Sequence, residues 1–281
     1  MNRYGVSSHL FHDQRLSREH LVHIAAHGFD RIELVATRSH FDYRNPSAHD
    51  ALAEWLADTR LALHSVHAPI VEGMREGGWI GSFSNASTDA ARRKAALDET
   101  EAALAIATTV PFDYLVVHLG MPTTARVPPG DNQAEAARRS IENIVAMAAR
   151  VNVRVALEVI LNPLSTADAL AELLEDHLDD LEVGVCLDYG HAHIMGELAD
   201  TLDALSGHVW TTHLHDNRGT RDEHLTPYAG TIDWPAAMMG TQKIGYDGVL
   251  MFEVGGTGDP VDVLSGCVKA RERLEQTVVS F

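Results

Sequence analysis

The stretch THLHDNRGTRDEHL, residues 212–225, holds three histidines and three acidic residues in fourteen positions. It follows a β-like run, so these side chains gather where a strand ends. A core would bury them only at heavy cost, and a surface loop has no need of them. Imidazoles and carboxylates at this density point to a metal site, and the mixture suits Zn²⁺, Mn²⁺, Fe²⁺ or Co²⁺ better than Ca²⁺. His213 and His215 share one face of an extended strand, because side chains alternate with period two. Asp222 and His224 do the same if their loop is extended.

The pattern recurs along the chain. Short apolar runs end in Glu33, in His64 and His67, in His118, in Glu158, in Asp188 with His191 three residues on, in His213, His215 and Asp216, and in Glu253. Carboxylates brought this close repel one another and take up protons unless a divalent cation neutralises them. Glu158, Asp188, His213 and Glu253 are the hardest of the set to explain as packing. Glu33 is open between a place in the site and a structural pair with a nearby Arg. His64 reads as packing, and His193 and His208 as helix or loop residues. His9, His12, His20, His23, His27, His40 and His49 read as residues without a role. Trp79 and Phe83, in the Gly-rich stretch EGMREGGWIGSFSNAS, are either loop anchors or a lid over the site.

Such residues meet only if the strands end together. Apolar or β-branched runs at 4–7, 31–35, 61–67, 114–118, 153–159, 182–187, 209–213 and 248–254 alternate with Ala/Leu/Glu-rich segments of helical period. Those segments lie at 18–27, 47–59, 89–108, 133–150, 167–177, 198–206, 234–243 and 261–277. Ser17 with His20, Ser87-Thr88-Asp89 and Ser165-Thr166 mark helix starts, and Gly28 and Gly207 mark stops. Eight strand–helix units without a linker or composition shift predict one α/β domain over residues 1–281, a (β/α)₈ TIM barrel. The runner-up is a doubly wound sheet. It would carry a Gly-rich fingerprint after the first strand, and Gly5-Val6-Ser7-Ser8-His9 is not one. In a barrel, the strand ends listed above converge on its C-terminal face.

Composition narrows the function. The formal charge is -18, from 22 Lys and Arg against 40 Asp and Glu, which disfavours nucleic acid and anionic membranes as partners. The basic clusters Arg92-Arg93-Lys94 and Arg138-Arg139 read as solvated helix faces. No apolar run is long enough for a membrane span, and the N-terminus lacks an apolar signal core, so a cytoplasmic location is expected. Cys186 and Cys267 form neither a disulfide framework nor a Cys-based zinc motif.

Seven short motifs carry a resemblance: HSVHAP (64–69), VVHLG (116–120), ALEVI (156–160), CLDYGHAH (186–193), HLHDN (213–217), DEHL (222–225) and MFEV (251–254). In this order the chain resembles the xylose isomerase-like TIM-barrel superfamily. That superfamily holds sugar isomerases and epimerases and the related apurinic/apyrimidinic endonucleases typified by endonuclease IV. The resemblance implies one divalent ion (Mn²⁺, Zn²⁺, Co²⁺ or Mg²⁺) on Glu158, Asp188, His213 and Glu253, and no organic cofactor. In the endonuclease branch it implies three zinc ions, with His67 and His118 beside Glu158, and His191, Asp222 and His224 for another. CLDYGHAH and the HLHDN–DEHL pair look like the isomerase/epimerase members. The expectation is therefore an enzyme acting on a small sugar, sugar phosphate or polyol, with Glu158 and Glu253 as acid and base. His191 and Arg218 would orient hydroxyls. Dehydration of a keto-polyol is a close variant, and the alternative is a zinc-dependent abasic-site endonuclease. Barrels of this kind often associate, which allows a homo-oligomer. Arg3, Arg126, Arg218 and Arg221 are the cations available near the strand ends. The family's Pro-Gly-x-Gly after DEHL reads Pro227-Tyr228-Ala229-Gly230 here, which places the conformation of this loop in question.

Overall fold

Each apolar run becomes a strand. A computed structural model describes residues 4–75, 78–196, 198–255 and 258–279. The strands are β1 (Tyr4–Ser7), β2 (Arg31–Val35), β3 (Ala62–His67), β4 (Gly73–Arg75), β5 (Gly78–Ile80), β6 (Tyr114–Val117), β7 (Arg154–Glu158), β8 (Val183–Asp188), β9 (Val209–Leu214) and β10 (Leu250–Phe252). All but β4 and β5 close into a parallel barrel in the order β1-β10-β9-β8-β7-β6-β3-β2. Both faces of these strands are covered, which is why they read as near-continuous apolar runs rather than alternating ones.

The helices are α1 (Arg18–Ala26), α2 (Pro46–Thr59), α3 (Ala90–Leu104), α4 (Ala134–Ala149), α5 (Ala167–His177), α6 (Tyr189–Met195), α7 (Leu198–Ala204), α8 (Trp234–Lys243) and α9 (Pro260–Val279). Their starts follow from side-chain caps. Asn45 accepts from the Ser47 N–H ahead of Pro46, Asp89 from Ala91, Thr166 from Ala169 and Asp233 from Ala236. The Ser17 backbone N–H donates to His20 Nδ1, half of a capping box. Gly28 stops α1 at φ +76, a conformation that a side chain disfavours.

Three elements differ from the sequence expectation. Part of the Gly-rich stretch folds as an antiparallel hairpin, with β4 paired to β5 through Met74 and Trp79. The run after Asp188 turns at once into α6, because the Asp188 side chain accepts the His191 N–H at 2.6 Å and caps the helix. The expected helix 89–108 ends at Leu104 and tightens into a 3₁₀ turn, Ala105–Thr108.

Inside the barrel, Val116, Ala156 and Cys186 form a small buried cluster of their own. Each lies two residues before His118, Glu158 or Asp188, and so on the same face of its strand. This cluster is the apolar floor on which the polar layer stands. Both cysteines are free and buried. Arg138 and Arg139 pair with Glu135 on the exposed face of α4, as solvated helix cations do. No described helix is long and apolar enough to cross a membrane.

Candidate metal centre

Glu158, Asp188 and His213 sit at the ends of β7, β8 and β9, and Glu253 follows β10 directly. All four are buried, and one donor atom from each lies within 4.8 Å of the others. His213 is the centre of the group. Its Nδ1 is 3.2 Å from Glu158 Oε1, 3.4 Å from Glu253 Oε2 and 3.8 Å from Asp188 Oδ2.

The opposite ring nitrogen has a separate partner. His213 Nε2 donates to Glu33 Oε2 at 3.0 Å. Glu33 also accepts from the Ser7 and Ser65 hydroxyls, at 2.9 and 2.7 Å. Burial opposes charge on Glu33, but His213 outweighs it and holds the carboxyl at about 2. An ionised Glu33 only accepts, so it keeps the Nε2 proton in place and turns Nδ1 toward the carboxylates. Of the two readings of Glu33, the place in the site is the one observed: the neighbouring strands β1 and β3 set Ser7 and Ser65 in register with it, and β9 brings His213 from across the barrel. Glu33→Gln is expected to weaken ion binding by about ten- to a hundredfold, measured by competition with a chelating dye.

Two further donor groups flank the first. His67, His118 and Glu158 form one; His191, His215, Asp222 and His224 form the other. Glu158 bridges, with Oε2 at 3.1 Å from His67 Nε2 and 3.0 Å from His118 Nε2 while Oε1 faces His213. Asp222 Oδ2 is 3.2 Å from both His191 Nε2 and His224 Nε2. His215, one of the strand-end residues but absent from both ligand sets that the resemblance implies, brings Nε2 within 3.0 Å of Asp188 Oδ1. Its period-two spacing from His213 was the available signal. The His215 ring lies flat against Gly190, where a Cβ would meet Cε1 at 2.0 Å and Nδ1 at 2.3 Å. Gly190→Ala is therefore expected to drive His215 off Asp188 and to destabilise the fold by about 1–3 kcal/mol, read from urea melts.

Asp216 belongs to the scaffold. It accepts from the N–H groups of Asn217, Tyr228 and Ile232 and from the Trp234 indole. These bonds fold the 217–233 loop back on the barrel. Tyr228, standing where the resemblance has Gly, adopts φ +72, a conformation that strains a non-glycine residue. Its ring packs under the Arg273 guanidinium, 3.5 Å from the centroid, and beside Trp234. The loop thus keeps its turn without the glycine.

The electrostatics pull the acids apart. Burial, reinforced by Glu158, pushes the Glu253 carboxyl up to about 7 against the pull of His213. Burial opposes charge on Glu158 too, but His118 and His213 hold it well below the usual carboxylate range. His67, His191 and His224 are lifted to about 9, 10 and 9. Burial works against their charge, and the carboxylates of Glu158, Asp188 and Asp222 prevail. Burial pushes His118 and His215 down.

Above the polar layer lies a cavity of about 630 Å³. His67, His118, Glu158, His191, Asp222, His224 and Glu253 reach its floor, and Trp79 and Phe83 line its wall. His9 lines it as well, contrary to the expectation of no role. Rings run from the hairpin to the floor: Trp79 on His12 at 6.0 Å, His12 on His9 at 4.5 Å, His9 on His224 at 4.5 Å and His224 on His215 at 4.1 Å. Arg218 does not take its expected place. Its guanidinium pairs with Glu223 at 2.5 Å, and it is not part of the cavity lining. Arg126 and Arg221 are exposed, and Arg3 lies outside the described residues. His64 packs inside the barrel against Thr211 and Tyr114.

The donor chemistry fits a divalent ion of the zinc or manganese type. Three buried carboxylates face one imidazole whose other nitrogen is fixed by Glu33, the arrangement that orients a His ligand. The flanking groups offer His and carboxylate donors of the same kind.

Known proteins resemble this chain in sequence and in fold. A relative from Methanocaldococcus jannaschii, itself uncharacterized, is 28% identical over 258 residues, covering 89% of this chain and 83% of its own. The crystal structure of a D-tagatose 3-epimerase-like protein superposes with a TM-score of 0.76 at 25% identity, covering 98% of this chain and 97% of that one. The structure of IolI with a bound zinc atom superposes with a TM-score of 0.75 at 18% identity, over 97% of both chains. Residues 21–275 match the family model described as the xylose isomerase-like TIM barrel, and with its closed barrel this chain belongs to that family.

Proposed function

We propose that this protein is a divalent-metal-dependent isomerase or epimerase of a sugar or polyol, working by proton transfer next to a carbonyl. The observation that carries the reading is the pair of buried glutamates beside His213 at the cavity floor, Glu158 Oε1 at 3.2 Å and Glu253 Oε2 at 3.4 Å from its Nδ1. Two carboxylates at one carbonyl-binding position can take a proton and return one. The D-tagatose 3-epimerase-like structure and the zinc-bearing IolI support the same reading.

A divalent ion held by Glu158, Asp188, His213 and Glu253 would polarise the substrate carbonyl and stabilise the charge that develops on its oxygen. Glu253 removes the α proton as general base. The C–H electron pair becomes the carbon–carbon double bond of an enediolate, and the carbonyl π pair moves to oxygen. Glu158, supplied through the charged His67 that it contacts, returns a proton. Return to the opposite face of the same carbon gives the epimer; return to the neighbouring carbon gives the aldose–ketose isomer. His191 and His224 face the cavity as donors to substrate hydroxyls.

The flanking donor groups would also suit metal-assisted phosphodiester hydrolysis at an abasic site. The electrostatics argue against that alternative: no Lys or Arg lines the cavity among the described residues, and the chain carries a charge of -18. The test is exchange of the substrate α proton into D₂O by metal-loaded protein. Loss of exchange in Glu158→Gln and Glu253→Gln supports the reading, and exchange retained in both variants sinks the acid/base assignment.

A further inference from the structure

His9 is fixed more firmly than a residue that merely lines a cavity needs to be. It sits in the 3₁₀ turn Ser8–Phe11 that follows β1. Its N–H donates to Ser7 Oγ at 3.3 Å, and that hydroxyl donates in turn to Glu33, the carboxylate that orients His213. Its carbonyl accepts from His12 twice, from the N–H at 3.0 Å and from Nδ1 at 2.7 Å. The ring is held as well. Nδ1 faces the Val254 carbonyl at 3.4 Å. A carbonyl only accepts, so Nδ1 carries the proton. The His12 and His224 rings each lie 4.5 Å away, centroid to centroid. Gly255 leaves space for the ring: a Cβ there would stand 3.4 Å from His9 Cε1.

One polar atom is left over. His9 Nε2 has no partner among the described residues, and the ring lines the cavity. Among those residues no carboxylate pairs with His9 to hold a second proton on it. A neutral imidazole protonated at Nδ1 only accepts at Nε2. The other imidazoles at the floor differ. His67, His191 and His224 each direct Nδ1 at a backbone carbonyl and Nε2 at a carboxylate. They donate or hold an ion, and do not accept. A sugar hydroxyl must also place its own hydrogen. Across the cavity, after β6 and β7, the side chains of Pro122, Ile160 and Leu161 offer no acceptor for it.

We infer that His9 is a specificity-determining residue, whose Nε2 accepts the hydrogen of one substrate hydroxyl outside the hydroxyketone pair. That hydroxyl lies on the β1–β10 side of the cavity. The inference rests on the proton-transfer reading of the site and adds which side of the substrate is read. Glu253 directly precedes the Val254 carbonyl that holds His9, so a hydroxyl gripped by His9 sets the register of the carbon chain against the base. A substrate without that hydroxyl leaves Nε2 desolvated and unpaired, and is rejected.

The experiment measures α-proton exchange into D₂O by Mn²⁺-loaded protein, for the stereoisomer of 2-ketohexose that exchanges fastest and for its 4-, 5- and 6-deoxy analogues. In the wild type, one of the deoxy compounds should lose about tenfold or more in kcat/KM. His9→Phe keeps an aromatic ring in the stack but has no Nε2. In it the parent ketohexose should lose a similar factor, chiefly through KM, and the discrimination against that deoxy compound should fall toward one. His9→Gln, whose amide can set an oxygen where Nε2 stands, should restore part of the discrimination. Ion content, measured on the same samples, should stay at the wild-type value. No deoxy penalty in the wild type, or the same penalties in His9→Phe, would overturn the inference and leave the proton-transfer reading standing. So would loss of the ion, which would make His9 a ligand. Exchange in none of the ketohexoses would overturn that reading and this inference with it.

Discussion

Glu253→Gln is expected to slow substrate α-proton exchange by about two to four orders of magnitude, the usual worth of a positioned base. The glutamine keeps an oxygen beside His213 and fills the same volume, so ion content should change much less than rate. Glu253 is selected because it reaches the cavity floor beside His213, Oε2 at 3.4 Å from Nδ1. An amide in its place cannot take a proton at any pH. Glu158→Gln should be as damaging but should also lower ion content, since Glu158 touches His67 and His118 through one oxygen and His213 through the other. Measuring exchange and ion content on the same samples separates the two effects.

Removing the ion should have the second large effect, and its sign with pH is fixed by the histidines. Ion present at about a thousand times its dissociation constant adds about 4 kcal/mol to stability, so chelation should lower the melting temperature by on the order of 10 °C. In the metal-free protein His67, His191 and His224 are lifted to about 9, 10 and 9 by Glu158, Asp188 and Asp222 against burial. Their stabilising contribution is complete below the ordinary histidine value of about 6.5 and is lost as pH rises through 9 to 10. His118 and His215, lowered chiefly by burial, act in the opposite sense and destabilise the fold as pH falls below about 6.5. The metal-free melting temperature should therefore fall on the alkaline side, from about pH 6.5 to 10. Ion uptake must displace the proton from His213 Nδ1, which the surrounding carboxylates hold on the ring against burial, so affinity should rise with pH. Calorimetric titrations in two buffers of different ionisation enthalpy measure the released protons directly. An affinity that does not change with pH would contradict the assigned donors.

Much of this site is written in the chain because a parallel barrel forces strand ends together. Glu158, Asp188, His213 and Glu253 each close an apolar run, and that rule alone brings them to one face. What depends on contacts across the barrel was less legible. Glu33 stays open between the site and an Arg pair, because nothing local reveals that His213 reaches it from across the barrel. His9 and His12 lie in an unremarkable turn after β1, and only the closed barrel carries them beside His224 and Trp79. Arg218 looks available to substrate until its loop folds and Glu223, five residues on, takes it. Helix α6 was hidden because Asp188 is at once a strand end and a helix cap, so the strand gives way to the helix without an intervening turn. Hairpin β4–β5 was hidden by its glycines, which read as loop. Tyr228 departs from the family's glycine and still takes up a left-handed turn, since Asp216, Arg273 and Trp234 hold it from three sides.

The most direct test of the central claim is deuterium incorporation at the carbon beside the carbonyl, followed by mass spectrometry in the metal-loaded wild-type protein, with an abasic-site DNA duplex assayed in parallel. The account predicts metal-dependent exchange that disappears on chelation and in Glu253→Gln, and an intact duplex. A nicked duplex with no exchange into any hydroxyketone would contradict it and assign the same ring of histidines and carboxylates to phosphodiester hydrolysis.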